Sequence, residues 1–310
     1  MSRFVNPFTD VGFKIIFGQD VSKPMLLHFL NTLLKGERVI TNITFIDKEQ
    51  VAEYRNDRSL IYDILCETDT KERIIVEMQN RSQPNFADRC LYYYSQAVSR
   101  QGEKGDAWAY SINAVYLIAF LNFRMDGLGD NLRTDVSLVN MQTGKVFSDK
   151  ERFVFLQMPC FNKEAKECNT LFERWIYVLK NMAVLDRMPW TAKDMVFKRL
   201  AKIAEVRNLT KEERAQYDAS LKHYRDSLNV MRGAIEEGLT RGRTEGYSEG
   251  LSEGLSKGHS EGLAEGLSQG LAEGLSQGRT EVAKKLKLMG MSLKDIMEAT
   301  GLTEEEVEKA

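Results

Sequence analysis

The sequence predicts an α/β protein, a mixed sheet flanked by helices, followed by a helical region and a glycine-repeat tail. Three observations predict it. Segments with apolar residues at helical spacing alternate with short strand-like runs along the first two thirds of the chain. The run INAVYLIAF, residues 112–120, is apolar at nearly every position, as a strand buried on both faces must be. From Gly238 to Gly278 a glycine recurs every fourth residue, a pattern foreign to a packed core. The resulting order of helices, strands, helix, strands and helices is that of a sheet covered by helices.

The elements follow in order. In TDVGFKIIFG, Phe13, Ile16 and Phe17 lie at helical spacing and Gly18 stops the helix. A second helix, SKPMLLHFLNTLL, takes Ser22 as N-cap and Pro24 in its first turn. VITNITFID, residues 39–47, alternates as a strand, and two more strands are expected over 61–68 and 73–79. NFADRCLYYYSQAVSRQG is an amphipathic helix. After the buried strand, DVSLVNMQTGKVF and RFVFLQM continue the sheet. Helices are expected over 168–184, 190–205 and 211–232. Beyond the repeat, Ser292 and Thr303 are good N-caps on either side of Gly301, which predicts a small helical hairpin. The expected divisions are a body over 1–232, a repeat tail over 233–281 and the hairpin over 282–310.

Composition narrows the function classes. Of a net charge of −2, the tail holds −5 (nine Glu against four Lys/Arg) and the hairpin −1, leaving +4 on the body. A mildly basic body permits an anionic partner without requiring one. Cys66, Cys90, Cys160 and Cys168 form no CxxC pair, and His28, His223 and His259 lie far apart. That argues against a zinc ribbon, a disulfide scaffold or a histidine-based triad, and fits a reducing compartment. The opening MSRFVNPFTDVGFK has no signal-like apolar stretch, and no window reaches the roughly 18 apolar residues of a spanning helix. The expectation is a soluble cytoplasmic protein with no membrane partner.

The chemistry-bearing stretch is YDILCETDTKERIIVEMQN, residues 62–80. Side chains alternate along a strand, so Asp63, Leu65 and Glu67 share one face, and Ile75, Glu77 and Gln79 share one face of the next strand. An antiparallel register pairing Glu67 with Arg73 also sets Asp63 opposite Glu77 and leaves a tight turn at Asp69–Lys71. Two carboxylates directly opposite repel. A hard divalent cation with oxygen ligands is the simplest compensator. The plainer alternative is a half-exposed sheet with solvated acids and a Glu67–Arg73 surface ion pair. Cys66, in an apolar run, reads as a core thiol.

These residues resemble the PD-(D/E)XK nuclease superfamily, and within it the recombination-promoting nuclease and putative transposase family. The resemblance runs through NPFTDVGFKIIFG, YDILCETD, IIVEMQ and FADRCLYYYSQ, clearly over residues 5–125 and more loosely to about 235. It implies a restriction-endonuclease-like fold and metal-dependent hydrolysis of a DNA phosphodiester, linked to recombination or mobile elements. Asp63 and Glu77, with the backbone carbonyl of Met78, would hold Mg²⁺, with Mn²⁺ able to substitute. Gln79 stands where the superfamily usually has lysine. Asp10 fits the accessory acidic position on the first helix, or is an acid favoured by the helix dipole. Lys14, one turn on, is a phosphate contact or a solvated lysine. Arg89, Tyr92 and Gln96 share a helical face, and Arg89 and Gln96 are held as site residues, whereas Tyr93 and Tyr94 read as packing. The glutamine leaves a second reading open: an inactive nuclease-like scaffold, or a DNA-binding or interaction protein working through its tail.

In that tail Leu251, Leu255, Leu263, Leu267, Leu271 and Leu275 recur at multiples of four. Against about 3.6 residues per turn, such a stripe rotates by about 40° per repeat on a straight helix. Two readings stay open, a homo-oligomer wound through the tail and a flexible spacer. The acidic LTEEEVEKA argues for an interaction or capping role of the terminal hairpin over DNA reading.

Overall fold

The computed structural model describes residues 2–46, 49–50, 60–103 and 108–310. They divide into two compact units, Met1–Leu228 and Asn229–Ala310.

The first unit is built on a six-stranded mixed sheet. Its strands are β1 (Ile43–Phe45), β4 (Ile64–Thr68), β5 (Arg73–Gln79), β6 (Val115–Leu121), β7 (Arg133–Val136) and β8 (Glu151–Gln157), in the spatial order β1-β4-β5-β6-β8-β7. The central strands β5, β6 and β8 are parallel, and the outer pairings are antiparallel. A separate two-stranded ribbon joins β2 (Glu49–Gln50) to β3 (Leu60–Ile61). One sheet face carries α1 (Asp10–Phe17), α2 (Lys23–Leu33), α4 (Leu171–Asn181) and α5 (Met195–Ala204), the other α3 (Phe86–Ser99).

β6 is buried at all seven positions because helices cover both its faces. On the α1 side Phe13, Phe17, Phe29, Phe120, Trp175 and Phe197 form one aromatic cluster, with centroid separations of 5.2–6.2 Å. Each such ring contributes roughly 1.5–3 kcal/mol through burial alone. On the other side Tyr94 packs on Phe153 at 5.0 Å, which fixes α3 over β8.

The start of α1 is fastened locally. The Thr9 hydroxyl accepts from the Gly12 N–H (3.0 Å) and donates to the Asn6 carbonyl (2.9 Å). The arm folds so closely over the first turn that a Cβ on Gly12 would lie 2.1 Å from the Asn6 carbonyl oxygen. Gly12→Ala is therefore expected to destabilise the first unit by about 1–3 kcal/mol, the usual range for overpacking. Chemical denaturation checks this, and a variant as stable as the parent would contradict the close approach.

Several expected boundaries are corrected. The strand read over 39–47 shrinks to β1, because Asn31 engages both backbone groups of Ile40 (2.8 Å each) and takes it out of the ladder; Asp47 lies outside the described residues. The strand read over 61–68 begins at Ile64, with Leu60–Ile61 paired to the separate ribbon instead. Only Arg133–Val136 of the next region joins the sheet, and residues 137–147 turn back on themselves through a Val139–Val146 bridge. Ser22 stands at the N-cap of α2 as expected, but its side chain makes no capping bond there. Its hydroxyl bonds the Gln19 carbonyl (3.0 Å) within the short 3-10 turn Asp20–Ser22. α5 starts at Met195, where Asp194 caps it through the Val196 N–H.

The helix expected over 211–232 has no end there, since α6 spans Lys211–Leu288. Residues 229–279 are all exposed. The glycines among them, at about 1 kcal/mol each against alanine, meet no packing partner within 4 Å. In the second unit α7 (Leu293–Thr300) and α8 (Glu304–Lys309) fold against the end of α6 through Ala283, Ile296 and Val307. The Ser292 hydroxyl accepts from the Asp295 N–H, and Gly301 takes the left-handed conformation (φ 70°) that closes α7. No helix among the described residues is long and apolar enough to cross a membrane.

Candidate active site

The β4–β5 hairpin adopts the register that its sequence suggests. Glu67 faces Arg73, Leu65 faces Ile75 and Ile64 faces Val76, so the next step sets Asp63 beside Glu77. The Glu67–Arg73 ion pair does not form. Glu67 pairs with Lys71 (2.8 Å), and the Arg73 guanidinium crosses to the carbonyls of Ala97 and Arg100 at the end of α3. Cys66 is fully buried and burial pushes its thiol up to about 12, so it is a core residue and not a nucleophile.

β5 continues past the start of β4, which leaves the edge of Met78 without a ladder partner on that side. Asp63 fills the gap. Its Oδ2 accepts from the Met78 N–H (2.8 Å), and its own N–H donates to Glu77 Oε1 (3.3 Å). The Gln79 carbonyl accepts from Asn122 on the β6 side, so alternation turns the Met78 carbonyl toward the Asp63 side. Two carboxylates and one backbone carbonyl thus share one end of the sheet.

Glu77 is 4% exposed and Asp63 half-buried. Burial, then the charge of Asp63, push the Glu77 carboxyl up to about 8. Burial also raises Asp63, and the charge of Asp10 adds to the rise. Opposing them, Arg89 from α3 reaches Glu77 Oε2 at 3.5 Å, and Lys14 from α1 acts on both acids at longer range. Desolvation and repulsion win over these two cations, because the net shift of both carboxyls is upward. Charge on the pair is therefore under-compensated by the protein itself.

The other expected site residues fall as follows. Asp10 and Lys14 pair with each other across one turn (2.7 Å) at the open end of α1. Arg89 lies over the Tyr93 ring at 4.9 Å, so Tyr93 positions the guanidinium as well as packing. Gln79 does not bond either acid. Its amide donates to the Arg81 carbonyl (3.3 Å). Tyr92 is exposed. Gln96 is half-buried, and no hydrogen bond joins its side chain to the acidic pair among the described residues. Sequence reasoning passed over Asn80, whose amide donates to the Phe8 carbonyl ahead of α1. An asparagine just past a strand reads as a turn residue, and its long-range partner has no local signal.

No three Asp, Glu, His or Cys side chains among the described residues cluster tightly enough to hold a metal by themselves. That suits Mg²⁺, which keeps several waters and takes one or two carboxylates plus substrate oxygens. Burial and mutual repulsion raise Asp63 and Glu77, so positive charge placed between them would be favoured.

A family model described as PD-(D/E)XK nuclease family transposase matches residues 7–234. The chain belongs to that family. The match takes in both acids, α3 and the first turns of α6. No curated protein and no solved structure matches the chain. For a PD-(D/E)XK nuclease family transposase, a nuclease-like function related to mobile elements is indicated, with DNA as the implied substrate and divalent metals as the usual helpers. The mixed sheet with helices on both faces agrees with a restriction-endonuclease-like α/β fold.

Proposed function

We propose that this chain is a metal-dependent DNA endonuclease that hydrolyses phosphodiester bonds at the Asp63–Glu77 pair. The observation that carries the reading is the under-compensated pair of carboxylates at the end of β5, both raised by burial despite Arg89 and Lys14. A bound Mg²⁺ or Mn²⁺ would supply Lewis-acid stabilisation of the phosphate and a lowered pKa for an attacking water. Asp63, Glu77 and the Met78 carbonyl are the groups to hold it. The Met78 N–H fixes Asp63 in place, so that one carboxylate oxygen stays oriented. Arg89 neutralises part of the charge on Glu77 and stands ready to contact a phosphate oxygen. Lys14 adds a second positive charge, and Asp10 tempers it. The body over 1–232 would carry the chemistry with its ions and DNA, and the repeat tail would serve as a homo-oligomer seam or as a spacer.

Nicking of supercoiled plasmid by the purified chain tests the reading, with Mg²⁺, with Mn²⁺ and with chelator. Metal-dependent nicking is expected. Tight salt-dependent binding without product would favour a DNA-binding protein without cleavage instead, and neither binding nor product an inactive scaffold.

Gln79 sharpens the test. Its amide offers hydrogen-bond donors without charge where a lysine would place a cation near the attacking water. Gln79→Lys is expected to leave metal binding intact and raise cleavage. Gln79→Ala is expected to lower cleavage only about tenfold, below the scale of one preorganised donor, because the amide is held by the Arg81 carbonyl. Parent-like cleavage by Gln79→Ala would reduce the residue to a solvated strand end and leave Lys14 or Arg89 as the working cation.

A further inference from the structure

The arm ahead of α1, residues 4–9, is held from three sides. The Asn6 N–H donates to the Tyr217 hydroxyl (2.8 Å), and the Val11 N–H donates to the Ser220 hydroxyl (3.3 Å), both on α6. The Val5 N–H bonds the Ala204 carbonyl at the end of α5 (2.8 Å). These contacts tie the arm to other helices. Its tie to the strand that carries Glu77 is Asn80, whose side-chain amide donates to the Phe8 carbonyl. The second polar atom of that amide, Oδ1, is buried with no hydrogen-bond partner among the described residues. An apolar side chain at this position would leave no acceptor unpaired. The amide therefore sacrifices local stability for a single bond, and that bond joins β5 to the residue two places before Asp10.

We propose that Asn80 is a positioning residue: its amide holds the start of α1 at the carboxylate end of β5, and so sets Asp10 and Lys14 against Asp63 and Glu77. This rests on the nuclease reading, since it gives the Asn80–Phe8 bond a purpose in metal and phosphate binding. Asp10 begins α1 one residue after the capping Thr9, so a shift of the Phe8 carbonyl moves Asp10 with it. The fields of Asp10 and Lys14 are felt at Asp63, and that of Lys14 at Glu77 as well.

A double-substitution cycle in the full-length chain tests the proposal, with Mn²⁺ affinity by calorimetry and plasmid cleavage as readouts. Asn80→Ala is expected to weaken Mn²⁺ binding about tenfold or more, on the scale of losing an outer-sphere partner. Its thermal midpoint should stay near that of the parent, because the unpaired acceptor leaves together with the bond. With Asp10→Asn already in place, Asn80→Ala should cost less than about threefold, since residues acting through one another are not additive. Asn80→Leu, close in shape with neither donor nor charge, should behave like Asn80→Ala and serves if the alanine variant misfolds. Additive effects of the Asn80 and Asp10 changes would overturn the proposal, as would unchanged Mn²⁺ affinity in both Asn80 variants. A parent chain that binds no Mn²⁺ and cuts no DNA would sink the nuclease reading and this proposal with it. A parent that binds and cuts, with an additive cycle, sinks this proposal alone.

Discussion

Glu77→Gln is expected to lower plasmid cleavage by at least about 10³-fold while leaving the fold intact, and Asp63→Asn to do the same. Loss of one preorganised donor costs about 10²–10³ in rate. Loss of a carboxylate that holds the metal removes the cation's contribution as well, so the effect should exceed that range. The fold survives for a local reason. Glu77 is 4% exposed and its charge is disfavoured where it sits, so a neutral isostere matches the protonated carboxyl of the metal-free chain. The side-chain amide of the Asp63→Asn variant keeps an oxygen to accept the Met78 N–H. Glu77→Gln should accordingly melt at or above the parent's temperature at neutral pH. Rates on supercoiled DNA, circular dichroism and thermal melting together check this. Parent-like cutting by either variant would remove the pair from the chemistry.

Metal affinity is expected to climb with pH, about tenfold per unit, from the acidic range to about pH 8, and then to level off. The Glu77 carboxyl has its folded-state pKa raised to about 8 from an ordinary 4.5. In the metal-free chain it therefore carries a proton at neutral pH, and that proton must leave when a cation binds. Calorimetry in buffers of differing ionisation enthalpy should find about one proton released per ion from the Asp63–Glu77 pair at pH 7, and little release well above pH 8. The same shift has the opposite sign for stability of the metal-free protein. Between pH 4.5 and about 8 the folded state binds more protons than the unfolded one, so stability is greatest below that window and declines as pH rises through it. Saturating Mg²⁺ should offset the decline. A metal-free melting temperature that rose across this window would contradict the assigned cause.

Much of this was legible in the sequence because it rests on strict periodicities. The period of two set the faces of β4 and β5, and the register that brings Asp63 to Glu77, which also places Glu67 opposite Arg73, is the one the hairpin adopts. The short apolar run of β6, rich in β-branched and aromatic residues, read as a strand covered on both sides, and it is one. What stayed hidden depends on partners far away in the chain. Asn31 removes Ile40 from the sheet, Arg73 turns from Glu67 to the end of α3, and Asn80 reaches back to Phe8. None of these has a local pattern. The persistence of α6 through the repeat was hidden for another reason. Helix propensity at the glycines argues against it, and residues 229–279 offer no buried face to argue for it.

The two acids, the Met78 carbonyl and Arg89 matter only if a cation sits among them. Anomalous scattering from a crystal of the full chain grown with Mn²⁺ tests that most directly. One strong manganese peak is expected, bound by carboxylate oxygens of Asp63 and Glu77 together with the Met78 carbonyl, and absent from a Glu77→Gln crystal grown identically. Manganese held elsewhere, with the Asp63–Glu77 pair left bare at saturating Mn²⁺, would contradict that expectation.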